Sequence, residues 1–67
     1  LSEMKNDFIN NMTHEIKTPI STISLACEAL SENEIRDNRH LSNNYLKVIN
    51  DENKRLGSIA EKILQSE

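Results

Sequence analysis

Between positions 14 and 19 the chain sets His14, Glu15, Ile16, Lys17, Thr18 and Pro19 in succession. A histidine, a carboxylate and a proline so close together give a helix more chemistry than packing requires. An imidazole is roughly half or more neutral at neutral pH, so one ring nitrogen can offer a lone pair to an electrophile. Glu15 follows directly and can accept the proton released when the ring attacks. Pro19 has no N–H, so a helix running through it loses the bond to the Glu15 carbonyl four residues back. The distortion falls beside the histidine. These residues together read as a nucleophile with its base next to a hinge.

The elements that position them follow from periodicity. With His14 as the zero direction on a helical wheel, Asp7, Asn10, Thr18, Ser21, Leu25 and Glu28 fall within roughly 40° of it. Phe8, Ile9, Met12, Ile16, Pro19, Ile20, Ile23, Ala26, Cys27 and Leu30 fall at roughly 120° or more. The histidine is therefore centred on the polar face, opposite an apolar stripe whose spacing near ~3.5 is that of a coiled coil. A first helix is expected over about 2–31, a connection rich in Asn, Asp and Glu over about 32–40, and a second helix over about 41–66. Ser42 or Asn43 is the expected N-cap of that second helix. Its stripe is Tyr45, Ile49, Glu52, Leu56, Ile59 and Ile63, in which Glu52 is the discordant member. Asp51 and Arg55 have the spacing of an i,i+4 ion pair. Thr18-Pro19 could also be an N-cap with proline at the first helical position, starting a new helix there. The stripe passes the proline without a phase jump, which favours one kinked helix.

Composition narrows the rest. The chain has 67 residues, 3% of them aromatic, with one Gly, one Pro and no Trp, so a strand-and-turn fold is excluded and helices are favoured. Two stripes roughly 100° wide cannot be covered by one antiparallel hairpin, so the expected fold is an all-α hairpin whose homodimer is a four-helix bundle. A net charge of −3 without a basic patch argues against nucleic acid. No apolar run is long enough to span a membrane. Cys27, on the stripe, is expected to be a small buried hydrophobe in a reduced setting. The zinc-protease helix motif needs a histidine at position 18, where Thr18 stands. A hydrolase triad lacks both its nucleophile and a pocket. The chain begins inside a helical pattern and ends inside another, as expected of a piece of a longer protein.

The stretch Phe8-Ile9-Asn10-Asn11-Met12-Thr13-His14-Glu15-Ile16-Lys17-Thr18-Pro19-Ile20 closely resembles the H-box of sensor histidine kinases. The segment from Tyr45 through Glu52, Arg55-Leu56 and Ile63-Leu64 looks like the second helix of the same dimerisation and histidine-phosphotransfer domain. The resemblance implies that His14 accepts the γ-phosphoryl group of ATP with Glu15 as base or orienting carboxylate, and passes it to an aspartate of a response-regulator receiver domain. It implies ATP and Mg in a separate catalytic domain of a bacterial, membrane-anchored parent, no cofactor in this piece, and a cytoplasmic location. It maps a phosphatase motif onto Glu15 and Thr18, with Thr18 orienting a water against the receiver's acyl phosphate. Without an ATP-binding domain the piece alone is expected to be inactive. Asn10, Ser21 and Leu25 share the histidine face and are candidates for docking the partner; Leu25 reads equally well as an isolated exposed leucine. The alternative from another class is a structural or adaptor dimer without phosphotransfer.

Overall fold

A computed structural model describes the backbone of residues 2–65 and the side chains of residues 7–65. Three helices follow one another: α1 over Ser2–Leu30, α2 over Asn33–Arg36 and α3 over Arg39–Gln65. α1 and α3 pack along their length as an antiparallel hairpin, with α2 as the turn between them. The expected end of the second helix at residue 66 lies outside the described residues.

α1 is continuous through Pro19, so the alternative of a helix beginning at Thr18-Pro19 is overturned. The ring is less than 2% exposed, and its burial against α3 offsets the backbone bond that proline cannot make. Threonines bond back along the same helix. Thr13 Oγ1 donates to the Ile9 carbonyl at 2.8 Å, Thr18 Oγ1 to the His14 carbonyl at 3.4 Å, and Thr22 Oγ1 to the Thr18 carbonyl at 3.0 Å. Such bonds occupy the hydroxyl proton locally and tend to bend the helix.

The connection differs from the expected loop. Asn33–Arg36 forms one helical turn, with the Arg36 side chain bonded to Asn33 Oδ1. α3 starts at Arg39, ahead of the expected Leu41, because Asn38 caps it: Asn38 Oδ1 accepts the Leu41 N–H at 3.1 Å. Ser42 lies inside the helix, its hydroxyl donating to the Arg39 carbonyl at 3.2 Å, and Asn43 lies further in, so neither expected cap is used. No described residue has a positive φ, so the turn is made without glycine.

The hairpin measures 52 × 17 × 11 Å, one helix thick. Among the described residues only Pro19, Ala26 and Ile59 are buried. Cys27 is exposed, contrary to expectation, because one residue beyond Ala26 the helix has turned by about 100°, away from α3. Ile9 is 50% exposed, Ile20 49%, Leu46 54% and Leu64 71%. On the wheel, Ile9, Ile20 and Cys27 lie on one flank of the α1 stripe, and Leu46, Ala60 and Leu64 on the matching flank of α3. That flank is where a second copy of the hairpin would complete a bundle. Gly57 is exposed and a Cβ there would meet nothing within 4 Å, so nothing in the hairpin explains the glycine.

Ile20→Glu is expected to shift the chain from dimer to monomer in sedimentation equilibrium while leaving each hairpin's own buried residues untouched. A variant that stays dimeric would rule out this flank as the dimer face.

Candidate functional site

The histidine face of α1 is open. Asn10, His14, Glu15, Thr18, Ser21 and Leu25 are all exposed, Leu25 by 65%. Exposure follows from phase: α3 covers the stripe that contains Pro19 and Ala26, and His14 is about 140° round the helix from Pro19. The polar side chains flanking His14 along the helix are thus the adjoining carboxylate of Glu15 and, one turn on, the hydroxyl of Thr18. Thr18 gives its proton to the His14 carbonyl. Its oxygen therefore keeps lone pairs for a donor arriving from outside, such as a water.

A groove of about 420 Å³ runs beside this face, between the helices. Glu15, Thr18 and Pro19 form one wall, and Arg55, Ser58, Ile59 and Lys62 form the other. Hairpin geometry brings them together: an antiparallel return near residues 33–38 sets positions 15–19 of α1 level with positions 55–62 of α3. Of the residues singled out from the sequence, Glu15, Thr18 and Pro19 line the groove; His14 is exposed on the neighbouring face of α1 and does not line it. Asn10, Ser21 and Leu25 share the open face but do not line the groove.

The α3 wall escaped sequence reading. Arg55 does not use the expected Asp51. Its Nη1 lies 3.4 Å from Oε1 of Glu52, an i,i+3 contact. The Glu52 side chain is 13% exposed and the Arg55 side chain 59%. The other Glu52 oxygen, Oε2, is buried without a hydrogen-bond partner. The available signal was phase: Glu52 and Arg55 are about 60° apart on the wheel, with Arg55 on the groove side, whereas Asp51 projects away from the stripe. Among the described residues no group of three or more His, Cys, Asp or Glu side chains is placed to hold a metal ion, and no helix is long and apolar enough to cross a membrane.

Comparison with known proteins gives a consistent family match. The family described as the His Kinase A (phospho-acceptor) domain matches residues 4–67. The sensor protein RprX of Bacteroides fragilis is 57% identical over 65 residues, covering 97% of this chain and 12% of that protein. The sensor protein SrrB of Staphylococcus aureus is 34% identical over 64 residues, covering 96% of this chain and 11% of that protein. The chain thus spans only about an eighth or less of these relatives' length. No solved structure matches it.

A carboxylate in an apolar stripe with one oxygen unpartnered costs stability. Glu52→Leu is therefore expected to stabilise the fold by about 1 kcal/mol, seen as a higher urea midpoint with an unchanged slope at matched protein concentration.

Proposed function

The chain belongs to the His Kinase A (phospho-acceptor) domain family, and from that premise we propose that His14 is its phosphorylated residue and that the chain is the phosphotransfer and dimerisation part of a longer sensor histidine kinase. The observation that supports the reading is an exposed His14 opposite a continuous apolar stripe, followed directly by an exposed Glu15 that lines an open groove between the helices. Domains of this family work as dimers and with response regulators, so the uncovered flank is assigned to the second copy and the open face to the kinase's own ATP-binding domain and then to a receiver domain.

ATP and its Mg2+, held by that separate domain, supply the γ-phosphoryl group and shield its charge. A ring nitrogen of His14 attacks the phosphorus in line; the N–P bond forms as the bond to the bridging oxygen of the leaving ADP breaks. Glu15 holds the proton of the other ring nitrogen, which keeps the attacking lone pair exposed. On the return step a receiver aspartate oxygen attacks the same phosphorus. The N–P bond then breaks and its electron pair goes back to the imidazole, which leaves neutral because the other nitrogen bears the proton. Positioning and charge do most of this work, so a side chain on a rigid exposed helix suffices.

Thr18 has a separate role. Its hydroxyl oxygen, with its own proton directed to the His14 carbonyl, accepts a hydrogen bond from a water and aims it at the aspartyl phosphate of a docked receiver. The water oxygen bonds to phosphorus, the acyl P–O bond breaks, the carboxylate is restored, and the water's protons leave on inorganic phosphate. The 67-residue piece, lacking a nucleotide site, is inactive alone. Its parent is anchored to the membrane elsewhere in the longer chain and presents this domain to the cytoplasm.

The deciding experiment supplies the domain in trans with the ATP-binding domain of its parent and γ-labelled ATP. Wild type is expected to take acid-labile, base-stable label and His14→Gln none. An unlabelled wild type, with the dimer folded and the catalytic domain shown to bind ATP, would leave a scaffold. In the full-length parent, Thr18→Ala is expected to slow regulator dephosphorylation by roughly tenfold or more while His14 labels normally. Unchanged dephosphorylation would remove Thr18 from the site.

A further inference from the structure

The groove's second wall carries two cationic side chains, Arg55 and Lys62, and one of them is in contact with an inward-facing carboxylate. Surface Arg–Glu pairs are ordinarily worth little. Glu52, however, stands on the α3 stripe where an apolar residue would pack, is 13% exposed, and leaves Oε2 buried and unpartnered. Stability does not explain it. The contact it makes does: from the stripe, Glu52 Oε1 reaches Arg55 Nη1 at 3.4 Å, on the groove side of the helix. Arg55 remains 59% exposed, with guanidinium donors left over for an incoming anion. Lys62, two turns further along, lines the same wall.

We propose that Arg55 is a binding residue for the anionic acceptor of the partner domain, and that Glu52 is the positioning residue that holds it at the groove. This deepens, and rests on, the assignment of His14 and Thr18 made above. Once His14 is phosphorylated, the phosphoryl dianion stands next to the Glu15 carboxylate on α1. An acceptor carboxylate must approach both. Three like charges converge, and the cation across the groove offsets their repulsion. In the transfer the acceptor oxygen forms its bond to phosphorus as the N–P bond breaks and the pair returns to the ring; Arg55 gives up no proton and acts by charge alone. The first labelling of His14 begins from a ring without added charge and a Mg2+-shielded nucleotide, so it depends on Arg55 much less.

The test uses the full-length parent protein and a panel of purified receiver domains from the same organism, taking as probe the receiver that the wild type labels fastest. Arg55→Gln is expected to raise the KM for that receiver by roughly tenfold and to flatten its dependence on ionic strength, with His14 labelling within about twofold of wild type. Arg55→Lys keeps the charge and most of the transfer. Glu52→Gln falls between wild type and Arg55→Gln, whereas Asp51→Asn behaves as wild type. Glu52→Leu separates positioning from folding, because it raises stability and still weakens receiver binding. Arg55→Gln that transfers like wild type at every salt concentration overturns the proposal. So does a variant series in which Arg55→Lys is as impaired as Arg55→Gln and His14 labelling falls in parallel, since that is the mark of a structural role. A wild type that never labels at His14 removes the underlying assignment and this one with it.

Discussion

Everything in this hairpin depends on two apolar stripes wider than a single neighbouring helix can cover. Two helices side by side make a layer 11 Å thick, and a layer has two open flanks. Here the flanks have diverged. One carries Ile9, Ile20, Leu46 and Leu64 and can be made stable only by covering it. The other carries Glu15, Thr18 and Arg55 and is left open to chemistry. The seam between them, where Pro19, Ala26 and Ile59 lie buried, is narrow and does little more than align the two helices. The exposed apolar flank and the groove thus lie on opposite sides of one sheet of helix.

Much of this was legible because the informative pattern is local. His14, Glu15 and Pro19 lie within six residues on one helix, and a 3.5-residue apolar repeat fixes which way each faces. The hairpin followed from two such repeats separated by a polar stretch. What escaped was whatever depends on how one helix meets the other or on which of several similar polar side chains wins a local contest. Asn38 caps α3 in place of Ser42 or Asn43, and nothing in residue type separates the three. Cys27 belongs to the stripe by angle but lies beyond the strip that α3 covers. Arg55 has two acidic neighbours at helical spacing and takes Glu52. The α3 wall of the groove needs the register between the helices, which no single-helix pattern contains.

Glu52 illustrates how function is written into a core. A residue facing inward is judged by packing, and by that measure it is a defect. Judged by its contact with Arg55, the same residue has a partner on the groove side of the helix. Discord with the surrounding pattern was visible from the sequence; the contact it makes with Arg55 was visible only in the structure.

The two walls of the groove come from segments about forty positions apart in the chain, joined through a turn stiffened by α2 and the Asn38 cap. Neither wall can move without changing its relation to the other. A helix that slips by a single residue advances about 1.5 Å and turns by about 100°, which would replace one set of facing side chains with a different one. The register between the two helices therefore decides which charges face one another across the groove.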